Sequence, residues 1–327
     1  MRDWLESVWY GRGRGGWILA PLGWLFTLLV SLRRLLFALL PRRSLPCPMI
    51  VVGNLTVGGT GKTPLVVFLV EELKARGIRA GVVSRGYGGQ ERGPYRVKPE
   101  DDPARVGDEP SLIARRTGVP VAIGRDRMAA ARLIAPEVQL LISDDGLQHY
   151  WLPRDLEIAV IGARGLGNGR SLPAGPLREG ASRLRSVNLV VSNGTAWPNA
   201  LAMRIVPIDF VRLTDGARST PTDWARHHAH AVAGIAHPER FFATLLDLGL
   251  SLAVHPFPDH APLSPAEVSF GDGYPVVMTE KDAVKCQSFA GPGHWYLEVG
   301  AGFSAADTAR LLDAVTGTLS RRDGSSR

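Results

Sequence analysis

Cysteine is nearly absent. Cys47 and Cys286 stand alone in 327 residues, too few for a disulfide framework or a thiolate metal cluster, which points to a reducing compartment. Long runs of one charge are also missing. The chain carries 38 Lys and Arg against 31 Asp and Glu, yet the basic residues neither gather into a long stretch nor alternate with aromatics. Nucleic acid is therefore not an expected partner, and no obligate protein partner is implied. A net charge of +7 suits an anionic membrane or a phosphorylated ligand instead. The length allows two domains and an ample core.

Long, strongly apolar stretches are scarce too, with one exception. From Gly16 to Leu32 no residue is charged, and Leu35 to Leu40 continue apolar after Arg33 and Arg34. The window is short for a bilayer span, which needs ~20 apolar residues. No small-residue cleavage site follows, which argues against a secretory signal. Gly16, Gly23, Thr27, Ser31 and Arg34 share one helical stripe, so a helix here has a weakly polar side. Trp17, Trp24 and flanking arginines (Arg12, Arg14, Arg42, Arg43) suit the headgroup level. The expectation is a helix lying in the membrane interface rather than crossing it.

The strongest feature is Val51-Val52-Gly53-Asn54-Leu55-Thr56-Val57-Gly58-Gly59-Thr60-Gly61-Lys62-Thr63. An apolar run from Met49 to Val52 reads as a buried strand, and Leu65 to Leu73 as an amphipathic helix. Strand, glycine-rich turn, Gly-Lys-Thr and helix are the context of a phosphate-binding P-loop. Loop and helix N–H groups without intrahelical partners cradle phosphate oxygens, Lys62 reaches the outer phosphates and Thr63 faces Mg²⁺. Thr56 departs from the pattern, standing where a glycine is usual.

Further strands are expected at Ala80–Val83, Val119–Ile123, Val138–Ile142, Leu156–Ile161 and Val187–Ser192, alternating with helices. Residues 90–105 read as a surface excursion. Asp108 and Glu109 read equally well as acids favoured by a helix dipole or as functional carboxylates. Asp144-Asp145 at the end of an apolar strand resembles the Walker-B arrangement, in which a carboxylate at the strand tip holds Mg²⁺. Gln148 and His149 lie just beyond, and Leu172-Pro173-Ala174-Gly175-Pro176-Leu177 presents Arg178 and Glu179 on a loop. Met203–Pro207 and Phe210–Leu213 read as short strands of a connector, followed by a second α/β unit. The fold class is α/β: a P-loop, largely parallel core with an N-terminal membrane-associated helix and a smaller C-terminal α/β domain. The divisions are 1–47, 48–200 (core), 201–229 (connector or hinge), 230–317 and a disordered tail, 318–327.

Taken in order, NLTVGGTGKTP (54–64), SRGYGG (84–89), VGDEP (106–110), DDGLQH (144–149), LPAGPLRE (172–179), FPDH (257–260) and TEKDAVK (279–285) resemble the tetraacyldisaccharide 4′-kinases of lipid A biosynthesis. That resemblance covers nearly the whole chain. It implies transfer of the ATP γ-phosphate to the 4′-hydroxyl of an acylated disaccharide 1-phosphate, at the cytoplasmic face of the bacterial inner membrane. It implies a peripheral, monotopic protein using ATP and Mg²⁺. Asp108 matches the position of the base for the sugar hydroxyl, with His260 as its partner from the C-terminal domain when the hinge closes. Thr56, Val57, Gly58, Gly59, Thr60, Gly61, Lys62 and Thr63 would bind ATP. Thr63, Asp144, Asp145 and Glu179 would hold the metal, and Asn54, Arg125, Gln148, His149 and Arg178 the substrate. After FPDH the chain departs from the family string, continuing Ala261-Pro262. A nucleotide-switched membrane ATPase has a similar loop but carries a lysine where this chain has Val57. A small-molecule kinase would leave the N-terminal helix without a purpose.

Overall fold

The computed structural model describes residues 2–11, 16–40 and 44–325. Arg12, Arg14, Arg42 and Arg43, expected to flank the apolar segment, lie outside the described residues. In chain order the strands are β1 (Met49–Gly53), β2 (Ala80–Ser84), β3 (Tyr95–Val97), β4 (Val121–Ile123), β5 (Leu140–Ser143), β6 (Leu156–Ile161), β7 (Leu189–Asn193), β8 (Leu201–Arg212), β9 (Arg218–Ser219), β10 (His228–Ala233), β11 (Ser251–Pro256), β12 (Val276–Thr279) and β13 (His294–Gly302). The helices are α1 (Arg2–Tyr10), α2 (Ala20–Leu39), α3 (Lys62–Ala75), α4 (Pro103–Val106), α5 (Asp108–Thr117), α6 (Arg127–Ile134), α7 (Pro238–Asp247), α8 (Glu280–Cys286) and α9 (Ala305–Ser325).

β1 is apolar and buried at every position, as a parallel strand covered on both faces must be. It pairs in parallel with β5 and β6, so the P-loop and the Asp144-Asp145 turn leave neighbouring strands at the same sheet edge. The first half-sheet runs β3-β4-β2-β5-β1-β6-β7 and the second runs β8-β13-β12-β10-β11. α3 buries Leu65, Val66, Leu69, Val70 and Leu73 in a cluster that also takes Ile50 of β1 and Leu311, Leu312 and Val315 of α9. The two halves of the chain therefore share one apolar core.

Three expectations are corrected. The two short strands of the connector are one strand, β8, which pairs in parallel with β7 at its start and antiparallel with β13 along most of its length. Pro207 looked like a strand end. It sits opposite Val299, where the register shifts, and a residue without an N–H is tolerated at such an irregularity. The excursion at 90–105 contains β3, an antiparallel edge strand on β4, and α4. The tail expected to be disordered from residue 318 is helical as far as Ser325, with Thr318 buried and its hydroxyl bonded to the Val315 carbonyl at 2.7 Å.

α2 is arranged opposite to a surface helix of a water-soluble body. Gly23, its one fully buried residue, lets the helix approach so closely that an added Cβ would stand 3.0 Å from the Ala174 Cβ and 3.1 Å from the Ser171 carbonyl oxygen. The Thr27 hydroxyl is 2.9 Å from the Ser171 hydroxyl, and Arg34 donates to Ser186 at 3.0 Å. The weakly polar stripe thus docks on the protein, except for Ser31, which is exposed. Leu22, Trp24, Leu25, Leu28, Leu29, Leu32 and Leu36 face outward. Among the described residues this is the one helix long and apolar enough to cross a membrane.

Candidate functional site

The site gathers at the C-terminal ends of β1, β2, β5, β6 and β7, where parallel sheets place ligands. After β1 the loop turns through Gly61, whose φ of 89° and whose neighbour Asn193 leave no room for a side chain: a Cβ would lie 2.5 Å from the Asn193 amide nitrogen. That amide donates to the Thr60 carbonyl at 3.1 Å, pinning the loop from β7. α3 then begins at Lys62, turning its free N–H groups toward the loop. Thr56 accepts a non-glycine residue because it is extended, in a β-bridge with Leu177. The Val57 N–H is taken by the Pro176 carbonyl at 2.9 Å, so these two residues tie the loop to the 172–179 segment. Of the eight residues expected to bind ATP, this leaves Gly58 to Thr63 outside those two contacts.

Lys62 is held from two sides, 3.0 Å from the Asn54 side-chain oxygen and 3.4 Å from Asp145. Asn54 in turn donates to the carbonyls of Thr56 and Gly58, which makes it a brace of the loop as well as a lining residue. Arg178 bonds both Asp145 oxygens at 3.1 and 3.0 Å. Burial of Asp145 works to raise its pKa, but Lys62 and Arg178 outweigh it and bring the carboxyl down to about 2. Asp145 also adopts a positive φ of 50°, the sort of backbone that clusters at functional turns.

Asp144 is the opposite case. Burial, reinforced by Glu109 and Asp145 against the pull of Lys62, pushes its pKa up to about 7. It is 2% exposed and its Oδ1 has no hydrogen-bond partner, which is the condition of a carboxylate oxygen built to meet a cation. Beside it, Arg127 is buried and donates to the Asp144 carbonyl at 2.8 Å. Glu179, expected among the metal ligands, is engaged elsewhere: it accepts from Gln148 at 2.9 Å and pairs with Arg183 at 3.5 Å. Gln148 also donates to the Asn54 carbonyl at 3.1 Å. His149 is driven down to about 4 by burial and by Arg127, so its ring is neutral. Arg125 is exposed at the end of β4.

The second cluster comes from the far half of the chain. His260, at φ 62°, places its Nδ1 3.0 Å from the Asp108 Oδ2, across 152 residues of sequence. Asp108 opens α5, and Glu109 beside it is near enough to Asp144 for its charge to help raise that carboxyl. Arg127, Asn193, Lys281 and Lys285 contact these candidate residues and do not stand out in the sequence. The strings GRDR, SNG and TEKDAVK contain them, but nothing local distinguishes a buried arginine or a paired lysine from a surface one.

A family profile described as tetraacyldisaccharide-1-P 4′-kinase matches residues 16–317. The tetraacyldisaccharide 4′-kinase of Hahella chejuensis is 50% identical over 324 residues, which are 95% of this chain and 96% of that protein. That of Alcanivorax borkumensis is 48% identical, covering 97% and 98%. A crystal structure of LpxK from Aquifex aeolicus in complex with ATP superposes with a TM-score of 0.79 at 26% identity, covering 93% of this chain and 99% of that one.

Proposed function

The chain belongs to the tetraacyldisaccharide-1-P 4′-kinase family, and from that premise we propose which of its residues carry the transfer. The enzyme phosphorylates the 4′-hydroxyl of tetraacyldisaccharide 1-phosphate in lipid A biosynthesis, with ATP as the donor. Gly58 to Thr63 receive the triphosphate. Lys62 exchanges Asn54 and Asp145 for the outer phosphates, and Arg178 stays on Asp145 to keep the turn ionised. Asp108 accepts the proton of the 4′-hydroxyl as its oxygen bonds to phosphorus and the bond to the ADP leaving group breaks. His260 orients that carboxylate. Phosphoryl transfer needs positioning and charge neutralisation more than strong base chemistry, and this set supplies both. The observation that carries the reading is the Asp108–His260 contact, made across 152 residues of sequence.

Asp144, with Asp145 and Thr63, is the fitting place for Mg²⁺, given the unpartnered Asp144 Oδ1. The ion would neutralise charge on the phosphates. A carboxyl whose folded pKa is raised contributes stability below its unfolded value, and that contribution is lost as pH rises through about 7. Mg²⁺ is therefore expected to raise the thermal unfolding midpoint more at about pH 8 than at about pH 5.5. Asp144→Asn should erase the difference; an equal Mg²⁺ effect at both pH values would remove Asp144 from the metal site.

The lipid side follows from α2. The loop bearing Asp144 to His149 runs on into Tyr150 and Trp151, whose rings contact Phe37 of α2, while Arg33 lies 5.4 Å from the centroid of the Tyr150 ring. Acyl chains lying along the exposed leucines would bring the sugar to this loop. We place α2 in the cytoplasmic leaflet of the inner membrane as a monotopic anchor, with 201–229 as the hinge between the core at 48–200 and the domain at 230–317. The test is transfer of labelled γ-phosphate from Mg·ATP to the tetraacylated disaccharide 1-phosphate in micelles, with the de-acylated sugar in parallel. Phosphorylation of the lipid alone is expected. Equal transfer to the bare sugar would overturn the role given to α2.

A further inference from the structure

The Asp108–His260 pair is flanked by two lysines from one face of α8, four residues apart. Lys281 Nζ lies 3.1 Å from His260 Nε2, and Lys285 Nζ lies 3.5 Å from Asp108 Oδ2. We propose that Lys281 is a positioning residue of the transfer, holding His260 as its Nδ1–H tautomer and thereby aiming Asp108. This inference rests on the reading of Asp108 as acceptor of the hydroxyl proton.

The tautomer follows from donor and acceptor counting. An ammonium has three donors and no lone pair, so a ring nitrogen facing it must accept. Nε2 therefore carries no proton, and the one proton of the neutral ring is on Nδ1. That nitrogen lies 3.0 Å from Asp108 Oδ2, and an ionised carboxylate only accepts. Both contacts are satisfied by one state: neutral imidazole with Nδ1–H donating to Asp108. A flipped tautomer would set Nε2–H against the ammonium and leave Nδ1 and the carboxylate as two acceptors face to face.

The surrounding charges hold this arrangement in place. Lys281 is anchored by Asp259 at 3.4 Å and by Glu109 at 3.6 Å, while Asp259, 3.8 Å from Nε2, is too distant to take a proton from that nitrogen in a hydrogen bond. Lys285 pairs with Asp282 at 2.9 Å and donates to the Ala261 carbonyl at 3.1 Å, fixing the turn that follows His260. Tyr87 packs edge-on to the His260 ring at 5.3 Å between centroids. His260 and Lys285 both address Oδ2 of Asp108, which leaves Oδ1 to meet the substrate hydroxyl. The lysine pair thus acts on the orientation of the base rather than on the phosphates.

The tautomer can be read directly by ¹⁵N NMR of the full-length, histidine-labelled protein in micelles, with His260→Ala assigning the resonance. At neutral pH the wild-type ring is expected to show protonated Nδ1 and bare Nε2. Lys281→Met should populate the Nε2–H form and lower kcat by ~10-fold, a part of what positioned acid–base groups contribute, with KM for ATP unchanged. Lys281→Arg, which restores a donor, should recover both. A wild-type ring protonated at Nε2 would overturn the proposal, and this spectrum decides even if Lys281→Met fails to fold. So would a Lys281→Met protein that matches wild type in spectrum and kcat. Asp108→Asn separates the two layers: if it retains activity, the base assignment itself fails. If it is inactive while Lys281→Met is unaffected, only the role of Lys281 falls.

Discussion

Lys62→Ala is expected to lower kcat/KM for ATP by at least ~10²–10³-fold, the scale for removing one preorganised charge partner of a transferring group. Lys62 is only 15% exposed in its side chain and rests between Asn54 and Asp145, so it waits beside the phosphate site at a fixed distance. Its loss acts twice. The outer phosphates lose a cation, and the aspartate turn loses one of the two charges that hold Asp145 ionised. Arg178 still pairs with Asp145 at 3.0 Å, so the turn should keep its fold and the defect should be kinetic. Lys62→Arg should not rescue, because a planar guanidinium cannot take the place of a compact ammonium among Asn54, Asp145 and the phosphates. Steady-state transfer from Mg·ATP in micelles, with a thermal melt of each variant, is the check. Activity within tenfold of wild type would sink the P-loop assignment.

Asp108→Asn should cut kcat by ~10²–10⁴-fold, the usual worth of a positioned general base, while KM for ATP changes little. The substitution keeps the side-chain shape and a carbonyl oxygen able to accept from the Nδ1–H of His260, but it cannot take up a proton. Stability should suffer modestly. Lys285, whose ammonium is favoured over its neutral form because Asp282 and Asp108 outweigh its burial, retains the closer Asp282 at 2.9 Å. No buried charge is therefore left without a partner, the situation that makes such changes severe. Single-turnover measurement of the transferred phosphate separates chemistry from binding. A rate near that of wild type would exclude Asp108 as the base.

Much of this site was legible because its signals are local. The run from Met49 to Thr63 declares strand, loop and helix within fifteen residues, and the structure places β1, the loop and α3 there. The Asp144-Asp145 turn was legible for the same reason: apolar residues of a buried strand end abruptly in acid. The polar stripe of α2 was visible as a 3.6-residue period, but not the direction it would face. Periodicity says that a helix has two sides, and only the protein under it decides which side is covered. Here Gly23 and Thr27 meet the Ser171–Ala174 loop, so the apolar side is left outward.

By itself the sequence determined the α/β class, the phosphate loop, the acidic strand end, the apolar helix and, through its ordered strings, the family. The loop, the strand end and the helix each depend on residues close together in the chain, and the class and family on the order in which such local signals follow one another. The tertiary structure alone decided that β8 joins the two half-sheets, that Glu179 turns to Gln148 and Arg183, and that Asp145 rather than Asp144 pairs with the Lys62 and Arg178 side chains. It also decided that two lysines of α8 flank the Asp108–His260 pair. These contacts join residues far apart in sequence, and their partners are selected by packing: a carboxylate in a crowded site pairs with whichever donor the fold brings within reach.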